Sequence, residues 1–181
     1  MKIIKRLFRI LNTRLPYWNL KLLILFLILS VPVFLLLKKS KYKFSQKIIA
    51  IILYIYSYNV IVSTLLMRTP QQTRIYNLIP LSSFFMPQDS SIAEFVFNMA
   101  LFLPLGVLIP CLLKRKNKEK TTMLIGFSSS MLIEIIQLIG KLGELETDDI
   151  IANTLGVLIG ILIYKIIVKR HQERTKIKSN L

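Results

Sequence analysis

Residues Thr122–Gly140 read TMLIGFSSSMLIEIIQLIG, hydrocarbon broken by one carboxylate, Glu134, and one amide, Gln137. A charged group in the middle of a membrane-inserted helix costs about 2.5–3.5 kcal/mol on insertion scales. Leu would insert with no such cost, so a chain that keeps Glu134 has a use for it. The next apolar stretch, Thr147–Val168, opens on Asp148, Asp149 and Asn153. These polar outliers, rather than the apolar background, are where function is to be sought.

Around that stretch lies a chain of 181 residues, 54% hydrophobic, with a mean hydropathy of +0.57. Soluble domains of this length are seldom so apolar. Runs near Ile48–Met67, Ile92–Leu113, Thr122–Gly140 and Asp149–Val168 each approach the ~20 residues needed to cross a ~30 Å hydrocarbon slab. A fifth run, Leu20–Leu37, is shorter and carries Pro32 near its middle. Backbone polar groups left bare in lipid are too costly, so the runs are expected to be helices. No ten-residue alternation of the barrel type is present. The expected fold is all-α: a polytopic membrane helix bundle of five hydrophobic helices, or four plus one re-entrant segment that turns back at Pro32. An amphipathic interfacial helix precedes it. Ile3, Ile4, Leu7, Phe8 and Leu11 form its apolar face, opposite Lys2, Lys5, Arg6 and Arg9.

The chain divides by composition into a basic amphipathic segment, 1–19, an accessory hydrophobic segment and basic loop, 20–47, a transmembrane bundle, 48–168, and a basic tail, 169–181. Basic residues gather in Lys38–Lys47, Lys114–Lys120 and Lys169–Lys178, whereas the loop Lys141–Asp149 carries four acids against one Lys. The positive-inside rule puts the basic clusters in the cytoplasm, facing anionic lipid head groups, and the acidic loop outside. The net charge of +16 therefore reads as a topology signal, and no nucleic-acid partner is expected. One cysteine, Cys111, and one histidine, His171, are too few for a disulfide framework, a thiolate or histidine metal site, or a histidine-based triad. Neither a metal nor a cofactor is expected.

Counting ~1.5 Å per helical residue from the loops Met67–Ser91 and Lys141–Asp149, which two crossings put on the same side, Asn59, Asn98, Glu134, Gln137 and Asn153 share one layer. Gly126, Ser130 and Glu134 recur every fourth residue, as do Ala152, Gly156 and Gly160. Small residues at that spacing let helices approach closely. Each outlier also has a structural reading. Asp148 and Asp149 suit a helix start as caps, Asn98 and Asn153 suit interhelical hydrogen bonds, and Arg68 and Arg74 suit interfacial anchoring. Pro104, Gly106 and Pro110 are expected to bend or break the third long run.

Arg68, the string Arg74-Ile-Tyr-Asn77-Leu-Ile-Pro80, the string Phe97-Asn98-Met-Ala-Leu-Phe102-Leu-Pro104-Leu-Gly106, the pair Glu134 and Gln137, and the string Thr147-Asp148-Asp149-Ile-Ile-Ala-Asn153-Thr-Leu-Gly156 occur in that order. In these elements the chain resembles the VanZ-like family, from about Ser63 to Tyr164; the segment before Tyr54 lies outside the resemblance. The resemblance implies a multi-pass protein of the bacterial cytoplasmic membrane. The family's namesake is associated with resistance to teicoplanin, a lipid-tailed glycopeptide.

Arg68, Arg74, Asn77, Asn98, Glu134, Gln137, Asp148, Asp149 and Asn153 are thus candidates for one polar pocket, and Gly126, Ser130, Gly156 and Gly160 for helix packing. Three readings stay open. The pocket binds an amphiphile: a lipid, a cell-wall precursor or a lipoglycopeptide. It is an intramembrane enzyme with Glu134 as general acid or base. Or it is a scaffold whose polar layer knits helices together. The sequence does not define the oligomeric state.

Overall fold

The computed structural model describes residues 16–68, 72, 75–85 and 91–179. Most of the amphipathic N-terminal segment, residues 1–15, and the candidate Arg74 lie outside them. The chain separates at Lys47 into two units, and each is taken by itself.

The first unit holds helix α1, Pro16–Lys39. Pro16 occupies the opening turn, where its missing N–H is no loss. Pro32 lies inside the helix without ending it. The chain therefore does not turn back there, and the re-entrant alternative falls away. Leu22–Lys39 is long and apolar enough to cross a membrane.

The second unit, Ile48–Leu181, takes in most of helix α2, Phe44–Ile61, which runs on into a π-helical turn, Val62–Leu66. There Met67 N–H donates to Val62 O at 2.9 Å, five residues back. A short strand β1, Ile75–Asn77, a one-turn helix α3, Ser82–Phe85, and the long helix α4, Ser91–Leu112, follow. Helix α5, Lys118–Gly140, strand β2, Glu144–Glu146, and helix α6, Thr147–Ser179, complete the unit. With α1, the helices α2 through its π turn, α4, α5 and α6 make five that are long and apolar enough to span a bilayer. At ~1.5 Å per residue, α6 outruns the slab and carries its basic last turns beyond it.

Helix α4 stays continuous through both Pro104 and Pro110, so the expected break does not occur. Helix α5 ends in a Schellman turn: Leu142 N–H donates to Gln137 O at 2.8 Å and Lys141 N–H to Leu138 O at 3.4 Å. The left-handed position falls on Lys141, with φ 55°, rather than on Gly140. The two strands pair in parallel, Tyr76 opposite Leu145 and Asn77 opposite Glu146. Loops placed on one side by counting crossings are therefore joined directly. The sheet has only three residues per strand and no sequence signal announced it.

Helices α4 and α6 pack most intimately, and glycine is the reason. A Cβ on Gly156 would collide with the carbonyl of Met99, and one on Gly160 with the carbonyl of Leu103 and, at 2.8 Å, with Gly106 Cα. Helix α5 joins them through Gly126, whose missing side chain leaves room for Val157. Val60, Phe102, Leu105, Ile109, Ile133, Val157 and Ile161 form the apolar core. Polar groups go inward as well: Thr122, Ser130, Glu134, Gln137, Asp148 and Asn153 are buried, whereas Leu124, Leu132, Ile139 and Ile166 are exposed. Hydrocarbon outside and polar groups inside is the arrangement a bilayer solvent selects.

Candidate functional site

The sequence-derived polar residues divide into three groups. The first is a knot around Asp148, which is 2% exposed. Its carboxylate accepts from Leu81 N–H at 2.5 Å, Ser83 N–H at 2.8 Å, Ser83 Oγ–H at 2.6 Å and Ser82 Oγ–H at 3.2 Å. Asp148 thus caps the one-turn helix α3 from another element. The turn it grips includes Leu81 at φ 60°, a left-handed conformation that is uncommon outside glycine. Asn77 belongs here too: its amide donates to Ser82 Oγ at 2.7 Å and its oxygen accepts from Ile79 N–H at 3.2 Å. Phe84 then seats edge-on against Phe95 of α4, centroids 5.0 Å apart.

The second group is the buried seam of α5 and α6. Glu134, 2% exposed, accepts from the backbone N–H of Glu146 at 3.2 Å. One turn away, Gln137 donates to Thr64 O at 3.0 Å, in the π-helical turn that ends α2. Such turns depart from ordinary helix hydrogen bonding and recur at functional sites. One turn the other way, Ser130 accepts from Asn153 at 2.9 Å. Gln137 Oε1 and Asn153 Oδ1 are buried without a partner among the described residues. Gly156 and Gly160 lie on the α4–α6 crossing, and Gly126 and Ser130 on the α5 side of the seam.

The third group lines a cleft of about 370 Å³ between the end of α2 and the start of α4. Ser63, Thr64 and Arg68 form one wall, Glu94, Phe97 and Asn98 the other, and Asp149 is reached from α6. Asn98 donates to Asp149 Oδ1 at 2.6 Å. Arg68 is exposed and lies against Gly143, where any Cβ would strike its guanidinium. Its charge acts on both Asp149 and Glu134. Glu134 does not line the cleft; it stands behind it. Close by in β2, outside the spanning helices, burial and the charges of Asp149, Glu144, Glu94 and Asp148 push the Glu146 carboxyl up to about 7.

A second cleft of about 380 Å³ opens on the α2–α5 side and is almost wholly apolar, lined among others by Val60, Leu65, Phe102, Leu105 and Ile133. The same π-helical turn borders both clefts, with Ser63 and Thr64 on the polar one and Leu65 on the apolar one. Among the described residues, no group of three or more His, Cys, Asp or Glu is arranged to hold a metal ion.

Asn59 does not join the site: it is exposed and bonds back to Ile55 O at 2.8 Å. Ser63, Thr64 and Glu94 line the cleft although composition singled none of them out. The only signal was weak, a Ser-Thr pair near the end of an apolar run.

A bundle of membrane-crossing helices that encloses polar side chains near one face, with a polar and an apolar cleft sharing a helix turn, defines a class of integral membrane protein. Within that class the chain belongs to the VanZ/LLP1 family, whose model matches residues 22–168. The match takes in most of α1 and all of α2, well before the motifs near Arg68. No curated protein and no solved structure is significantly similar to it.

Proposed function

We propose that this VanZ-like membrane protein resides in the bacterial cytoplasmic membrane and holds the polar head of an amphiphile in the Arg68–Asn98–Asp149 cleft. The amphiphile classes that suit such a cleft are a lipid, a cell-wall precursor and a lipoglycopeptide of the teicoplanin type. Retaining or excluding one of these at the outer leaflet is how the protein contributes to glycopeptide resistance. The cleft itself carries the reading. Its volume lies at the small end of the range of ligand pockets, its polar groups converge, and the neighbouring apolar cleft offers an acyl chain a place on the same helix turn. The basic loops at the opposite ends of the helices support placing the cleft on the external side.

Glu134 has a supporting part in this reading. It accepts from the β2 backbone and braces the wall behind the cleft without touching the ligand.

The test is mass spectrometry of lipids that co-purify with the wild type and with Asn98→Ala. The wild type is expected to carry an amphiphile that the variant loses. Identical lipid sets from two equally folded proteins would overturn the reading.

A further inference from the structure

The hydrogen-bonding character of the cleft is lopsided. Ser63 Oγ–H and Thr64 Oγ1–H both donate to the carbonyl of Val60, at 3.0 and 2.8 Å. A hydroxyl has one proton, so each of these oxygens meets the cleft as an acceptor only. Asn98 spends one of its two amide protons on Asp149, and keeps its oxygen as an acceptor and the second proton as a neutral donor. Asp149 and Glu94 line the same space, and a carboxylate accepts and never donates. Against these acceptors stands, among the described residues, one charged donor, Arg68, at the exposed end of the wall.

Charge follows the same division. An anionic head would meet Arg68 but also face the carboxylates of Asp149 and Glu94. A purely cationic head would suit the carboxylates but meet the Arg68 guanidinium with like charge. A head that carries both charges a few ångströms apart answers both. The acceptor set further distinguishes between cations. A primary ammonium presents three N–H donors, whereas a quaternary ammonium presents none and prefers aromatic faces. Among the described residues, the only aromatic ring on the cleft is Phe97. At the other pole, a guanidinium matches a phosphate in a two-point hydrogen-bonded pair.

From this we infer that the ligand is a zwitterionic phospholipid whose head pairs a primary ammonium with a phosphate, as in phosphatidylethanolamine. The ammonium sits on Asp149 with Ser63, Thr64 and Asn98 around it, and the phosphate on Arg68. The inference rests on the amphiphile-binding reading and narrows it to one head-group chemistry.

Native mass spectrometry of the purified full chain tests it. Phosphatidylethanolamine, phosphatidylcholine and phosphatidylglycerol with identical acyl chains are supplied at equal concentration. Phosphatidylethanolamine is expected to be retained about tenfold over each of the others, and Arg68→Ala and Asp149→Asn each to lower that retention about tenfold, as loss of one charge-assisted contact does. Arg68 is exposed, so Arg68→Ala keeps the test open should Asp149→Asn fold poorly. Equal retention of phosphatidylcholine removes the ammonium argument. Equal retention of phosphatidylglycerol makes the cleft an anion site. In either case, loss of lipid on Asn98→Ala leaves the amphiphile reading standing while this inference falls. If no lipid's retention depends on Asn98, both fall. Soluble glycerophosphoethanolamine that displaces the lipid as well as the lipid displaces itself would overturn the membrane source of the ligand.

Discussion

Asn98 of α4 and Asp149 of α6 are joined at 2.6 Å, while Asp148, one residue earlier, turns away and binds the Leu81–Ser83 turn through four hydrogen bonds. Successive helical residues point ~100° apart. Two adjacent carboxylates at one helix start can therefore serve different neighbours. Asp148 fastens the Leu81–Ser83 turn to the bundle, and Asp149 lines the cleft.

The two aspartates should accordingly behave differently when replaced. Asp148→Ala leaves the buried Ser83 amide and the part-buried Leu81 amide without an acceptor, at about 1–3 kcal/mol for each stranded group. Its thermal midpoint in detergent should fall sharply, with a stability loss of about 3 kcal/mol or more. Asp149→Ala removes a single interhelical hydrogen bond, which averages about 0.6 kcal/mol in membrane proteins. It should melt near the wild type and lose only ligand. Equal melting losses in the two variants would contradict the division of labour.

The glycines of the bundle should not be equivalent either. A methyl on Gly160 meets the backbone of Leu103 and Gly106, which can yield only by separating α4 from α6. A methyl on Gly126 meets the side chain of Val157, as close as 2.5 Å to Cγ2. Gly160→Ala is expected to cost about 3 kcal/mol and Gly126→Ala nearer 1 kcal/mol. Pairing Gly126→Ala with Val157→Ala should recover part of the smaller loss, and Val157→Ala should do nothing for Gly160→Ala. Thermal unfolding of the five proteins, wild type included, measures this.

Fold class was legible because hydropathy and helix length are summed over many residues, so that no single position decides them. The polar layer was legible for a related reason: a costly residue in hydrocarbon stands out singly. What the sequence did not disclose is how those residues divide among neighbours. Glu134 and Asp149 look alike as buried acids, yet only Asp149 lines the cleft, because that depends on helix rotation. Asn59 sat at a suitable depth and faces outward for the same reason. The β1–β2 pairing was illegible since three residues carry no periodicity. Pro104 and Pro110, expected to bend or break the run, do not break it, because a proline's local penalty is overridden where tertiary packing holds the helix continuous.

Acid–base behaviour follows from Glu146. Its carboxyl is pushed from 4.5 up to about 7 by burial and by the acids around it. A carboxyl that holds its proton more tightly when folded makes the native state bind more protons than the unfolded chain between those two values. Stability then falls as pH rises. The fall begins near pH 4.5, is complete near pH 7, and leaves Glu146 as a standing charge repelled by Asp149 and Glu144 above that. Glu146→Gln should flatten the decline, chiefly by gaining stability at pH 7.5 relative to pH 5. A variant whose melting temperature tracks the wild type at every pH would show that the repulsion is relieved elsewhere.

Sidedness can be read directly. The positive-inside rule leads us to propose that the acidic loop lies outside and the basic loops Lys38–Lys47 and Lys114–Lys120 in the cytoplasm, with the six basic residues through Lys21 weighing against it. Those residues oppose the positive-inside rule, but the later loops outnumber them and follow it. With Cys111→Ser as background, single cysteines at Glu144 and Lys116 separate the two faces. An impermeant thiol reagent on intact cells should label position 144 and spare 116, and both should react after lysis. The reverse pattern would place the Arg68–Asp149 cleft on the cytoplasmic leaflet. The helix packing and the Asp148 knot would be unaffected, but every argument that the ligand arrives from the cell envelope would have to be replaced by one in which it is drawn from the inner leaflet.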